Sequence, residues 1–164
     1  MTALTEQAMK TRRRVLGDAH VNRAEAAKTA LDAPFQSLIT DAAWGHVWSR
    51  ATITLRARSM VAIALLAGLG NGHELAMHIR ATANTGASQA DVMEALLHVA
   101  IYAGVPRANH AIKIAKDTFA AMATARMVIG MLPGVDRPAL AALIPTKSAK
   151  PTLLLDVGAN SECK

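Results

Sequence analysis

The sequence contains few aromatic residues, and this scarcity narrows the range of possible folds. Two tryptophans, two phenylalanines and one tyrosine occur among 164 residues, although 52% of the chain is apolar. Ala, Leu, Val, Ile and Met supply most of the apolar content. Because Ala and Leu favour helices, and few alternating runs typical of half-buried strands occur, the composition predicts an all-α protein. The length suits a single domain with a sizeable core.

Cysteine and long apolar runs are also scarce. The one cysteine, Cys163, excludes a disulfide framework and a metal site built from cysteine and histidine. The longest apolar run, from Met60 to Gly70, is about half the length that a bilayer requires. The basic cluster from Lys10 to Arg14 is not followed by an apolar stretch of signal-peptide length. We therefore expect a cytoplasmic protein without a membrane segment or structural metal.

The charge is positive but not organised as a nucleic-acid-binding surface. The formal net charge is +6, and apart from Lys10 to Arg14 the basic residues are scattered. No basic stripe with interleaved aromatic residues is present, so we expect no nucleic-acid partner. A positive field also attracts small anionic substrates. The mean hydropathy of +0.22 is high for a chain without a membrane segment, so surplus apolar surface predicts a homo-oligomer.

Hydrophobic periodicity predicts a bundle of about six helices. The predicted helices are, in order, Leu4–Leu16, Pro34 to about Ser49, Leu55–Leu69, Glu74–Thr85, a helix from Ser88 to Ala103, and Arg107 to about Met127. The segment from Gly17 to Pro34 is expected to begin as a loop, with one polar helical turn around Arg23. The third helix is apolar on all sides from Met60 onward, which predicts a central, fully buried position.

The C-terminal part of the chain does not continue this pattern. Its short apolar pieces are interrupted by prolines at four positions, Pro133, Pro138, Pro145 and Pro151. Proline removes a backbone donor and interrupts regular elements. We therefore predict a helical domain at residues 1–130 and an irregular extension at residues 131–164.

Chemically interesting side chains concentrate between Asn71 and Pro106, where two predicted helices meet at Gly86. Side chains four residues apart share one face of a helix. On the first helix these are Glu74 and His78; on the second they are Glu94, His98 and Tyr102. If the two helices close as a hairpin, His98 and Tyr102 face the Glu74–His78 pair. The sequence therefore predicts a site at this hairpin.

The stretch ELAMHIRATANTGASQADVMEALLHVAIYAGVPRANHA resembles the carboxymuconolactone decarboxylase family, within the alkylhydroperoxidase D-like superfamily. The resemblance extends over roughly Leu4 to Ala125 and includes VLGDAHV (Val15–Val21), APFQSLI (Ala33–Ile39) and WGHVWSR (Trp44–Arg50). It implies an all-helical homo-oligomer, a trimer or a hexamer. It also implies a cofactor-independent reaction in protocatechuate catabolism by the β-ketoadipate pathway, in which 4-carboxymuconolactone loses carbon dioxide and gives 3-oxoadipate enol-lactone.

Two departures from the related sequences bear on function. Redox members of the superfamily use a Cys-x-x-Cys pair four residues before a histidine, whereas this chain has Asn71 and Glu74 before His78, so a disulfide relay is excluded. The family usually has glutamate where this chain has Ala57. If that glutamate orients an arginine or crosses an interface, Ala57 weakens the site; if it is a solvated helix charge, little changes.

The implied reaction defines what the site must supply. The lactone absorbs the electron pair that the departing carbon dioxide leaves, so no metal or organic cofactor is expected. The protein must hold a dianion, stabilise charge on the lactone oxygen and protonate carbon. With the family resemblance, His78 is the candidate acid or oxyanion donor, and Glu74 is the candidate for orienting it and raising its pKa.

The remaining candidate residues bind substrate. Arg58 and Arg80 are candidates for the carboxylates, and His98 and Tyr102 for the pocket wall. Each has an ordinary structural alternative: solvated charges for the arginines, and interface packing for His98 and Tyr102. Two other functions stay open, namely decarboxylation or isomerisation of another anionic lactone or keto acid, and ligand binding by a non-catalytic helical oligomer.

Overall fold

A computed structural model describes residues 3–131, and all regular structure in that range is helical. The elements are α1 (Ala3–Leu16), α2 (Asp18–Ala26), α3 (Ala33–Ile39), a π-helix (Thr40–Trp48), α4 (Leu55–Leu69), α5 (Gly72–Thr85), α6 (Gln89–Tyr102) and α7 (Val105–Met131). The all-α prediction is confirmed, with one short helix and a π-helix beyond the expected set. The predicted extension at residues 131–164, apart from Met131 at the end of α7, lies outside the described residues, as does Cys163.

The main core lies between the last four helices. α4 packs against α5, α6 and α7, so its predicted central position is confirmed. The largest fully buried side chains of this core are Ile63, Leu75, Ile79, Val92 and Leu96. One face of α4 nevertheless remains exposed within the described chain, contrary to the prediction of complete burial. Within the described range, no helix combines the length and hydropathy needed to span a membrane.

A second, smaller core joins α1 to the π-helix and α5. Its buried members are Ala8, Val15, Trp44, Trp48 and Ala81. Both tryptophans are less than a tenth exposed, so they are part of the core. Their rings lie 5.3 Å apart at an angle of 35°. The π-helix therefore supplies the aromatic packing against which α1 and α5 meet.

A sharp corner at Gly17 separates α1 from α2. Gly17 has φ 85° and ψ 150°, a backbone conformation that is essentially restricted to glycine. The side chain of Asn84 on α5 donates to the Val15 carbonyl at 3.0 Å, which satisfies a carbonyl at the end of α1. The corner is thus fixed from two sides, by its own glycine and by α5.

The segment after this corner is a helix, not the expected loop. α2 is short and polar, so its sequence alone carries a weak helical signal. Tertiary contacts stabilise it: Val21 is fully buried, and Arg13 donates to Asp18 at 3.0 Å and to Asn22 at 2.8 Å. Arg12, which is 5% exposed, donates to Glu25 at 3.0 Å.

The predicted hairpin forms at its turn but not along its length. Gly86 ends α5 in the left-handed conformation, and Ser88 and Asp91 form a capping box at the start of α6. Arg56 also donates to Asp91 at 2.7 Å, which ties α4 to α6. α5 and α6 each pack mainly against α4 and α7, however, and not against each other. The side chains on their two faces therefore do not meet as predicted.

The N-terminus of α4 gives a structural account of position 57. The Thr54 hydroxyl accepts from the backbone N–H of Ala57 at 3.1 Å, so Thr54 is the N-cap and Ala57 is the third helical residue. In a capping box this third residue is glutamate or glutamine, whose side chain returns to the N-cap backbone. A glutamate at position 57 would complete that box and would also interact favourably with the helix dipole.

We therefore expect Ala57→Glu to stabilise the protein by about 0.5–1 kcal/mol, through the capping box and the helix dipole. The free energy of unfolding, measured by urea denaturation at pH 7, tests this expectation. Ala57→Lys is the matched control, because lysine favours helices equally but completes no box. Equal stability of the two variants would contradict the capping account.

Candidate active site

His78, the predicted acid or oxyanion donor, lies on α5 and is 9% exposed. Its imidazole stacks on the indole of Trp48, with ring centroids 5.6 Å apart and 22° between the planes. Its Nδ1 atom is buried and has no hydrogen-bond partner among the described residues. Burial lowers the pKa of His78 and the charge of His20 lowers it further, whereas Glu74 acts in the opposite direction. His78 is therefore mainly neutral near pH 7.

Glu74 lies one turn before His78, and its side chain is exposed. Within residues 3–131 the structure contains no hydrogen bond between its carboxylate and the imidazole. Its influence on His78 is electrostatic: the negative charge favours the protonated imidazole. Glu74 and His78 therefore interact through charge alone. No contact among the described residues supports a role of Glu74 in fixing the tautomer of His78.

A cavity of about 840 Å³ opens between the α1–α2 corner, α5 and the C-terminal half of α7. Its size falls within the range of small-molecule sites. The basic side chains in its lining are His20, Arg23, Arg80 and Arg126. Asp18 is the one carboxylate among the described lining residues, and it accepts from Arg13 at 3.0 Å. The cavity therefore presents a positive surface to a small ligand.

Arg80, a predicted carboxylate-binding residue, lies in this lining. Its side chain is half-buried, and burial is the main cause that lowers its pKa, followed by the nearby charge of Arg23. It makes neither a hydrogen bond nor an ion pair with any of the described residues. A half-buried guanidinium without an acidic partner beside a second arginine is costly unless an anion compensates it. This arrangement suits the binding of a carboxylate.

His20 is the imidazole that lines the cavity, and the sequence analysis did not single it out. It occupies the first turn of α2, three residues after the corner at Gly17. Burial lowers the pKa of His20, and the charges of Arg23, Arg12, Arg80 and His73 lower it further, in that order. His78 is not part of the described lining, although its neighbours Met77 and Arg80 are. The two imidazoles thus form a pair with one member on the cavity wall and one beneath it.

Arg58 has a different environment from Arg80. Its Nη2 donates to the backbone carbonyl of Arg50 at 2.7 Å, which ties α4 to the segment after the π-helix. Its Nε is buried and lacks a partner among the described residues. Arg58 is not part of the described cavity lining. Of the two predicted carboxylate-binding arginines, the structure brings only Arg80 to the cavity.

His98 and Tyr102 lie on the outer face of α6. Their rings stack on each other with centroids 6.1 Å apart, and Tyr102 is 84% exposed. No contact joins either residue to Glu74 or His78 within the described chain. Because α5 and α6 pack against α4 and α7, these residues lie outside the site of a single chain. Neither residue lines the described cavity, so their predicted contact with substrate stays a prediction.

Sequence reasoning missed two members of the cavity wall, His20 and Arg23, because their segment was expected to begin as a loop and to form only one polar helical turn around Arg23. One signal was available: His20 lies within VLGDAHV, one of the stretches that carry the family resemblance. No group of three or more His, Cys, Asp or Glu side chains converges as a metal site within residues 3–131.

Comparison with known proteins gives two separate matches along the chain. Residues 110–164 match a family described as fatty acid synthesis protein. A phosphate acyltransferase of Acidobacterium capsulatum is 68% identical over 50 residues, which are 30% of this chain but only 14% of that protein. The cavity residues from Phe119 to Ile129 on α7 fall within this match. One wall of the cavity therefore lies in a part of the chain that matches the fatty acid synthesis protein family.

The other match includes the helices of the predicted hairpin. Residues 33–117 match the carboxymuconolactone decarboxylase family. A 4-carboxymuconolactone decarboxylase of Acinetobacter baylyi is 40% identical over 114 residues, which are 70% of this chain and 85% of that protein. A nitrosuccinic acid decarboxylase of Metarhizium robertsii is 35% identical over 115 residues, which are 70% of this chain and 80% of that protein. With more than half its length matched, this chain belongs to the carboxymuconolactone decarboxylase family.

Proposed function

We propose that this protein is a carboxy-lyase that converts 4-carboxymuconolactone to 3-oxoadipate enol-lactone without a cofactor, as a step of protocatechuate catabolism by the β-ketoadipate pathway. The similarity to the Acinetobacter baylyi enzyme supports this choice of substrate. The observation that carries the proposal is the half-buried Arg80, which lines a cationic cavity with no acidic partner among the described residues. A dianionic substrate supplies the missing negative charge.

The chemistry of the substrate explains why such a cavity suffices. The scissile carboxylate is on a ring carbon that is conjugated through the double bond to the lactone carbonyl. When carbon dioxide leaves, the electron pair passes into the ring and the charge develops on the lactone oxygen. The protein must hold the second carboxylate, stabilise this oxygen and protonate the carbon next to the carbonyl. Arginine and imidazole side chains provide all three functions.

The names of the two related decarboxylases indicate a shared substrate skeleton. 4-Carboxymuconolactone and nitrosuccinic acid both contain a succinate unit, and in both an electron-accepting group is conjugated or attached to a carbon that bears a carboxylate. Loss of that carboxylate leaves a dienolate in one case and a nitronate in the other. Nitrosuccinic acid is therefore the second candidate substrate, favoured by the 35% identity to the Metarhizium robertsii enzyme.

Within this proposal, Arg80 and Arg23 bind carboxylates and His78 acts on the developing oxyanion or on carbon. A neutral imidazole donates a hydrogen bond to an oxyanion, which agrees with the lowered pKa of His78. Glu74 biases the charge state of His78 through the field of its carboxylate. Arg58 does not line the cavity, so it would bind a carboxylate only if the substrate lay near Arg50.

We further propose that the protein is a homo-oligomer. The outer faces of α4 and α6 expose several large apolar side chains to solvent. Monomeric soluble proteins rarely expose a large group of apolar side chains in this way. These side chains are Val61, Leu65, Leu69, Leu97 and Ile101, each about half exposed or more. Tyr102 and His98 lie on the same face of α6. A neighbouring subunit on this face would bury it and bring both residues to an interface.

An ultraviolet assay with freshly prepared 4-carboxymuconolactone tests the activity directly. We expect wild-type protein to accelerate decarboxylation, and Arg80→Gln to lower kcat/KM by about 10- to 100-fold, since one charge-assisted contact is lost. His78→Ala should lower kcat by about 100-fold or more. Arg14→Gln removes an exposed arginine outside the cavity lining and is the control.

Two outcomes would contradict this proposal. An inactive wild type that is folded, as judged by circular dichroism, excludes 4-carboxymuconolactone as substrate, and the same assay with nitrosuccinate then decides the second candidate. Equal losses in Arg80→Gln and Arg14→Gln would show that the cavity is not where the carboxylate binds.

Sedimentation velocity tests the proposed assembly. We expect wild-type protein to sediment as an oligomer, and Ile101→Glu to shift it towards the monomer, because a charge buried at an interface is strongly unfavourable. Thr124→Glu adds the same charge at an exposed position of α7 and should leave the oligomer intact. A wild-type protein that sediments as a monomer would contradict the proposed homo-oligomer.

The lowered pKa of His78 also predicts how stability depends on pH. A histidine whose pKa is lower in the folded state than its unfolded value of about 6.5 stabilises the fold above that value, and the stabilisation is lost as the pH falls. Between pH 6.5 and pH 5 the free energy of unfolding should fall by at most about 1.4 kcal/mol per pH unit for this histidine. His78→Gln should flatten the decline, measured by thermal denaturation.

Two comparisons make the pH experiment specific. His46→Gln replaces an exposed histidine of the π-helix and controls for the loss of any imidazole. Tryptophan fluorescence gives a second signal, since Trp48 stacks on His78 and only two tryptophans are present. A steeper decline in His78→Gln than in wild type would show that the protonated imidazole stabilises the fold, contrary to the prediction.

A further inference from the structure

One imidazole on the cavity wall, that of His20, is not used in the mechanism proposed above. His20 lines the cavity directly, on the first turn of α2, whereas His78 lies beneath the wall against Trp48. A group that donates a proton to substrate must reach it within hydrogen-bond distance. In the described part of the chain, His20 meets the access requirement and His78 does not line the same space. The two imidazoles are therefore suited to different roles.

The position of His20 is fixed by the fold around it. Gly17 makes the corner before α2 in a backbone conformation that other residues avoid. The Asn84 side chain donates to Val15 at this corner, and a Cβ on Gly17 would lie 3.5 Å from its Nδ2. Val21, next to His20, is fully buried. The corner that leads into α2 is thus anchored to α5, the helix that carries Arg80 and His78.

The charges that act on His20 are almost all positive. Arg12 approaches from α1, Arg23 from α2, and Arg80 and His73 from α5. Arg126 on α7 lines the same cavity. The nearby carboxylates are engaged: Asp18 accepts from Arg13, and Glu25 accepts from both Arg12 and Lys28. His20 is therefore neutral in the empty cavity near pH 7, and an entering dianion would reverse the local field.

We propose that His20 is the acid of this cavity: it takes up a proton when a dianionic substrate enters, and donates that proton to carbon after carbon dioxide has left. This inference rests on the proposed function for the chemical step but not for the proton uptake. It assigns proton donation to His20, on the cavity wall, and leaves His78 as a neutral positioning residue whose charge state is coupled to that of His20.

The step balances without any further reactant. The bond between the ring carbon and the scissile carboxylate breaks, and its electron pair forms a new ring double bond while charge moves to the lactone oxygen. A C–H bond then forms at the carbon next to the carbonyl as imidazolium returns to imidazole. The dianion and one proton give carbon dioxide and a monoanionic product. Because the product carries one negative charge fewer than the substrate, the field in the cavity favours reprotonation of His20 less strongly, and His20 stays neutral until the next dianion enters.

Histidine NMR tests the proton uptake independently of catalysis. The probe is succinate, the unreactive skeleton shared by both candidate substrates. Among the ring-proton resonances of the six histidines, the one that is absent in His20→Gln identifies His20. We expect this resonance to titrate below pH 6.5 in the free protein, and about one pH unit higher in saturating succinate. Sodium chloride at equal ionic strength is the control.

Kinetics test the role as acid. His20→Gln should lower kcat by about 100-fold or more with a smaller change in KM, and should abolish the high-pH decrease of kcat. His20→Asn repeats the measurement with a shorter amide, and thermal denaturation of both variants verifies folding. His78→Gln should also lose rate but keep the high-pH decrease, because the proton donor is still present.

The outcomes distinguish this inference from the proposed function. A His20 titration that succinate does not move, or a kcat that both His20 variants preserve, overturns the inference even when the wild type is active. If the wild type does not decarboxylate 4-carboxymuconolactone or nitrosuccinate, the proposed function fails. A succinate-dependent shift of His20, weakened in Arg80→Gln, would then still identify this cavity as a dianion site in which His20 gains a proton.

Discussion

The buried charge of Arg12 joins three elements in the half of this molecule that contains the cavity. Arg12 extends from α1 to Glu25 on α2, and lies 3.4 Å from the Thr40 hydroxyl at the start of the π-helix. A buried guanidinium is tolerated only when its donors are satisfied, so the three elements are constrained to meet around it. α2 has little else to stabilise it apart from Val21 and the pairs made by Arg13. The wall that carries His20 and Arg23 therefore depends on an ion pair outside the cavity.

The packing around Arg12 also concentrates positive charge at the cavity. Arg12, Arg23 and Arg80 act together on His20, and the carboxylates in their vicinity are already paired. A site of this kind is electrostatically unfavourable when empty and is relieved by an anion. Under the proposed function such a site would need few catalytic groups, because the substrate accepts its own electron pair. The protein would then supply position, electrostatic field and a proton, which ordinary helices can provide.

The sequence predicted those features that depend on neighbours along the chain. The periodic helices and the helix end at Gly86 follow from local chemistry, and both are present. It predicted only one helical turn in the segment that forms α2, whose helical state depends on contacts with α1. It predicted that α5 would face α6, but helices joined by a short turn can both pack on other partners. His98 and Tyr102 were consequently assigned to the site, whereas His20, brought there by tertiary packing, was not.

The two halves of α7, one continuous helix of 27 residues, contribute mainly to different parts of the molecule. Its first half contributes Ala108, Ala111 and Ala115 to the core, where any added volume would disturb three other helices. Its second half contributes Met122 and Ile129 to the cavity, and Phe119 both lines the cavity and packs against the core, on a segment that matches a different family. Under the proposed function, substitutions at Met122 or Ile129 would change the shape of the ligand site while the core contacts of the first half stay in place.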